Sequence, residues 1–206
     1  MKLLELFDKA NGGDYAWEPI PMQIEETIIR DCADYLREAS DCLTDTTQMW
    51  RGSLDHEKKF QRVESRLEDR EPKDTKKVVH DAINKFFEKH FGWKARNGVF
   101  ASGHISTAHM YGKPYAIFPI GSFSYVWSPD VVDLHGDYGH FLDNYAEYED
   151  YDQLERGLEH GLKWKTDDLQ TAIKKGNEIM LNCKAYYMMD VDLVDELDWE
   201  YIHSAI

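Results

Sequence analysis

Three short apolar runs in this chain begin or end on a side chain suited to chemistry: Met49-Trp50-Arg51-Gly52, Val99-Phe100-Ala101-Ser102 and Glu178-Ile179-Met180-Leu181. Arg51 offers a planar, permanently charged fork that matches phosphate oxygens. Glu178 offers a carboxylate that can stabilise positive charge developing on a substrate. Ser102 offers a hydroxyl that can orient either partner, and Ser106-Thr107 stand close enough in sequence to do the same. A fourth segment, Asp133-Leu134-His135-Gly136-Asp137-Tyr138-Gly139-His140, holds the residue types of a metal site. It lacks the spacing of HExxH or CxxC, so the reading is a polar acidic loop with no metal.

These residues need elements to hold them. Apolar positions at Ile24, Thr27, Ile28, Cys32, Tyr35 and Leu36 recur at helical spacing, which predicts an amphipathic helix over 23–40. Val78, Val79, Ala82, Ile83, Phe86, Phe87 and His90 predict a second helix, closed by Gly92. Three strands are expected at 99–102, 115–120 and 123–127, with a short helix over 104–112 between the first two. The stretch 133–168 is acidic and aromatic without clear periodicity; weak helices are expected over 150–162 and 166–175. Glu178–Leu181 and Ala185–Met188 read as a final strand pair. Residues 1–22 form a lead-in, and 23–206 a single domain. Helices early and strands late make the class α+β rather than an alternating doubly wound sheet.

The chain has 206 residues, enough for one domain, and its 13 % aromatic content can fill a core. A formal charge of -15 disfavours general contact with nucleic-acid backbone. Cys32, Cys42 and Cys183 are odd in number and form no CxxC, which suits reduced thiols. No apolar run reaches membrane-spanning length, and the first residues do not form a secretory signal, so the expected location is cytoplasmic, without membrane contact.

Taken together and in order, the three runs resemble the three motifs of the ADP-ribosyltransferase family, in its arginine–serine–glutamate branch. The likeness spans residues 47–189. Trp50-Arg51-Gly52 is similar to the aromatic-Arg-Gly strand. Phe100-Ala101-Ser102, with Ala108 and Tyr111-Gly112 behind it, is similar to the Phe-x-Ser strand. Glu178 with its aliphatic followers looks like the glutamate strand. The resemblance implies a split β-sandwich with an N-terminal helical region. It implies NAD as substrate, bound through Arg51, Gly52, Ser102, Ser106 and Tyr111, with Glu178, Arg51 and Ser102 catalytic. ADP-ribose would pass to a macromolecular acceptor, protein or nucleic acid, met by the segment 166–177 with its Lys174-Lys175. Two departures stand out. Gly176 occupies the position where arginine-modifying members carry an acidic residue, which counts against arginine as acceptor. Ser102 is followed by Gly103-His104 instead of completing Ser-Thr-Ser. The charged stretch Arg66 to Thr75 and Arg96-Asn97-Gly98 are similar to bacteriophage proteins, which implies a host-cell setting.

A different class of function is open on composition alone. The acidic run from Asp143 to Glu155, with Tyr145, Tyr148 and Tyr151 interleaved, suits a non-catalytic acidic binding protein: a nucleic-acid mimic or an inhibitor of a basic partner.

Overall fold

The computed structural model describes residues 20–54, 58–68, 70–72 and 75–206. Most of the expected lead-in lies outside the described residues. Pro21 opens the first helix among the described residues, α1 (Pro21–Asp31), at a position where its missing N–H costs nothing. The helix expected over 23–40 is two helices, because Cys32 leaves helical geometry at φ -115°, ψ 23° before α2 (Ala33–Ala39) resumes. At that break the Asp31 carbonyl accepts from Gly121 N–H at 2.7 Å. The buried face Ile24, Ile28, Cys32, Tyr35, Leu36 runs on through it.

Strand β1 (Trp50–Ser53) carries Arg51, and β2 (Phe60–Glu64) follows inside a segment read from sequence only as charged. Helix α3 (Lys77–Phe91) ends as expected on Gly92 in the left-handed region, φ 80°. Then come β3 (Val99–Ser102), the short α4 (Ile105–His109), β4 (Lys113–Pro119) and β5 (Ser124–Trp127). Where an acidic loop was expected, α5 (Leu134–Tyr148) forms, broken at Tyr138. Next are α6 (Tyr151–Gly161), α7 (Leu169–Lys175), β6 (Glu178–Asn182) and β7 (Ala185–Asp190), then the short α8 (Val191–Val194) and α9 (Trp199–Ser204). The Asp133, Asp150, Asp168, Asp190 and Asp198 side chains each accept from a backbone N–H at a helix start, so part of the acidity is capping chemistry.

The class is α+β. Among the described residues the strands form one antiparallel sheet in the order β2-β7-β4-β1-β3-β6-β5. Side chains alternate across its β3-β6-β5 half. Val99, Ala101, Ile179, Leu181, Tyr125 and Trp127 enter a core with α1, α2 and α7. Phe100, Met180 and Val126 enter a second core with α3, α5 and α6. Both faces are covered, which is why Tyr115–Phe118 is a continuous apolar run and not an alternating one. Between β1 and β3 the register has a single pair, Trp50↔Ser102, whereas β1 and β4 share four pairs and β3 and β6 another four.

Short α4 is seated directly on β1 at Gly52, where a Cβ would overlap the Ala108 carbonyl and the Tyr111 Cβ. Both obstacles are close to the main chain and cannot swing away. Gly52→Ala is expected to destabilise the fold by about 2 kcal/mol, the usual scale for overpacking. Urea unfolding would read this as a lower midpoint at unchanged slope; an unchanged midpoint would mean that α4 yields without cost.

Candidate functional site

Because β1, β3 and β6 are consecutive in the sheet, Arg51, Ser102 and Glu178 come from neighbouring strands. Period-two alternation puts Arg51 on the face opposite Trp50, and Phe100, Ser102, Glu178 and Met180 on the face opposite Ala101 and Ile179. Ser102 and Glu178 are directly paired in the register and share a face.

Glu178 is held from several sides. Its side chain is 12 % exposed and forms an ion pair with Arg96, Nη1 to Oε1 at 2.9 Å; the Arg96 side chain is 11 % exposed. Its other oxygen accepts from the Leu134 N–H at 3.3 Å, at the N-terminus of α5, where the helix dipole favours a negative charge. One carbonyl, that of Val131, accepts from both Glu178 N–H at 3.3 Å and Asn177 Nδ2 at 2.9 Å, clasping the loop before α5 to the start of β6. Burial pushes the Glu178 carboxyl above its ordinary range; the Arg96 cation opposes this and Asp133 adds to it, leaving the value raised. Burial also pushes Asp133 up. The Tyr111 hydroxyl and the N–H groups of Gly136 and His135 outweigh that, and its value is lowered.

The Ser102 hydroxyl is buried and engaged with the main chain. It donates to the Gly176 carbonyl at 2.9 Å and accepts from His104 N–H at 3.1 Å. Ser102 therefore fixes the approach of the chain to Glu178 and does not touch the carboxylate. Gly176 is itself dictated by packing. It stands at φ 72° after α7, and a Cβ there would overlap the His104 ring. The remaining residues implied by the resemblance are dispersed. Gly52 is covered by α4, Ser106 is exposed on α4, and Tyr111 is 48 % exposed with its hydroxyl donating to Asp133. The segment 133–140 is the start of α5, with Asp133 as its cap, and among the described residues no group of His, Cys, Asp and Glu is arranged for a metal.

Two further cations belong to this place and were not singled out as site residues from the sequence. Arg96 and Arg70 each put a guanidinium carbon 4.4 Å from the centroid of the Phe100 ring. Arg70 donates to the Gly98 carbonyl, and Arg51 to the Phe100 carbonyl at 3.0 Å. Burial, and then the Arg51 and Arg96 cations, push Arg70 down to about 9. Behind them lies a buried polar cluster. His80 Nε2 is 3.0 Å from both Asn97 Oδ1 and Asn84 Nδ2. Asn84 Oδ1 accepts from Arg96 N–H at 2.9 Å, and Asn97 Nδ2 donates to the Leu67 carbonyl at 2.8 Å. Helix α3 thereby fixes both the turn that bears Arg96 and the segment that bears Arg70. Burial pushes His80 below its ordinary value, which keeps the ring neutral beside two arginines. The sequence signal for this cluster was the polar interruption of an apolar helix face at His80 and Asn84.

The raised Glu178 value fixes the sign of a pH effect. A carboxyl with a raised folded pKa contributes stability below its unfolded value and loses it as pH rises through the folded one. The stability of wild type relative to Glu178→Gln is therefore expected to fall as pH rises above about 4.5, the ordinary glutamate value. Unfolding of both proteins across a pH series checks this; a constant difference would contradict the desolvated carboxylate. Arg96→Met, which removes the partner of a buried charge, is expected to raise the Glu178 value further and to cost on the order of 3 kcal/mol.

Comparison with protein-family models, with curated proteins and with solved structures finds no match for this chain.

Proposed function

We propose that this chain transfers ADP-ribose from NAD to a macromolecular acceptor. The observation that carries the reading is the adjacency of β1, β3 and β6: three motif-like runs, separated by about fifty and seventy-five residues of sequence, come together as neighbouring strands. The nearly interrupted junction at Trp50↔Ser102 supports a sheet tending toward two halves, as the split β-sandwich of the family would have.

In this reading Arg51 holds the pyrophosphate of NAD and Glu178 lies beside the nicotinamide ribose. The bond between ribose C1′ and the nicotinamide nitrogen breaks, and the electron pair leaves with nicotinamide. The sugar passes through an oxocarbenium-like state that a carboxylate stabilises. A nucleophile of the acceptor then bonds to C1′ and gives up its proton. Glu178 must be ionised for this, and Arg96 together with the α5 N-terminus supplies the charge that opposes its desolvation. Ser102 acts as a positioning residue through Gly176. The glycine found where arginine-modifying members have an acid follows from the His104 contact, so the acceptor is better sought among side chains other than arginine, or in nucleic acid. Lys174 and Lys175, in the last turn of α7 directly before Glu178, would meet that acceptor.

A second reading has its own observation. Asp143, Glu147, Glu149, Asp152 and Glu159 are exposed along α5 and α6, a carboxylate-rich surface suited to a basic partner without catalysis.

Nicotinamide release from NAD, with cell extract as acceptor source, separates the two. Wild type is expected to release it, and Glu178→Gln to be slower by about 10²–10³-fold with NAD binding retained, the scale for removing one electrostatic stabiliser of a transition state. No release and no NAD binding would overturn the transferase. Binding to a basic partner that survives Glu178→Gln but is lost on neutralising Asp143, Glu147 and Glu149 would favour the acidic surface.

A further inference from the structure

Four of the chain's eight arginines, Arg51, Arg66, Arg70 and Arg96, bear on one place in a molecule of net charge -15. Three of them converge on Phe100 of β3. Arg51 binds its carbonyl, and Arg70 and Arg96 approach its ring. Each is anchored through Nη1: Arg51 to the Phe100 carbonyl, Arg70 to the Gly98 carbonyl and Arg96 to the Glu178 carboxylate, with the Tyr186 hydroxyl as a further partner of Arg51. A guanidinium has five N–H donors, so one or two anchors leave most of the fork for something else. The Arg96 Nε is buried without a hydrogen-bond partner. Among the described residues, Glu178 is the carboxylate in ion-pair contact with any of the three. Asp133 is a second carboxylate within electrostatic reach of Arg96 and Glu178, so among the described residues three positive charges meet two negative ones and a local surplus remains.

We propose that Arg51, Arg70 and Arg96 together form a binding site for a diphosphate group, with Arg70 and Arg96 as ligand-binding residues beside Arg51. A diphosphate carries the charge to balance the surplus and the spread of oxygens to meet forks arriving from three separate elements: β1, the segment before α3 and the turn before β3. Phe100 stacks two of the guanidiniums and so sets their spacing before any ligand arrives. The buried Asn84–Asn97–His80 cluster fixes the backbone from which Arg96 springs. As Arg96 contacts both this site and Glu178, the phosphate-binding part and the carboxylate are built as one unit.

This deepens the role given to Arg51 above, and its test needs no turnover, so the two readings can fail separately. The measurement is calorimetric titration of the full chain with inorganic pyrophosphate, against sulfate and chloride at matched ionic strength. Wild type is expected to bind pyrophosphate in preference to both. Arg70→Met should weaken binding about tenfold or more, Arg70→Lys should restore part of it, and Arg156→Met, on the exposed side of α6, should leave it unchanged. Arg96→Met should weaken binding as Arg70→Met does; if that variant is unfolded by circular dichroism, the Arg70 pair decides. Equal affinity in wild type and Arg70→Met, or no preference for pyrophosphate over sulfate, would overturn the site and leave the arginines as packing on Phe100. Pyrophosphate binding with neither nicotinamide release nor NAD binding would keep this site and remove the transferase. Release with pyrophosphate affinity insensitive to Arg70 would do the reverse.

Discussion

The arrangement around Glu178 depends on one buried ion pair. A carboxylate and a guanidinium withdrawn from water each lose several kcal/mol of hydration, and mutual attraction offsets this only when geometry and further hydrogen bonds are good. Arg96 and Glu178 meet at 2.9 Å, and the second carboxylate oxygen takes a backbone N–H. Even so, the carboxylate remains less favoured than in water. Such a pair has little value as a structural rivet, since apolar side chains of similar volume would often hold the fold as well. Its properties suit a charge kept dry, oriented and ready to be used.

Much of the surrounding structure serves to keep that pair in place. Helix α3 reaches across with His80 and Asn84 to fix the turn before β3. The Val131 carbonyl ties the loop before α5 to the start of β6, and the Ser102 hydroxyl ties the end of β3 to Gly176. These are main-chain restraints more than side-chain ones. They specify where Glu178 begins its strand, and side-chain position follows from that.

Apolar periodicity carried most of the secondary structure into view. It did so for α3 and for β4, whose faces are cleanly marked, and for β6 and β7. It failed where other physics set the pattern. Strand β2 is an edge strand that exposes Arg62 and Glu64, so its charge looked like a loop. Helix α5 is broken at Tyr138 and divides its aromatic residues between core and solvent, which blurs the period. Its aspartate cap at Asp133 was the better signal. At the candidate site, the strand positions of Arg51, Ser102 and Glu178 were legible because each belongs to an apolar run. Arg70 and Arg96 were not, because they sit in a coil segment and a turn, and only the three-dimensional path brings them to Phe100.

The one-pair seam between β1 and β3 gives the molecule a line of mechanical compliance. Main-chain bonding is sparse along it, so the free energy of a small local opening is low there compared with the four-pair ladders on either side. Arg51 stands on one bank; Phe100, Arg96 and Glu178 stand on the other. Anything that bridges the banks stiffens the sheet at its weakest line.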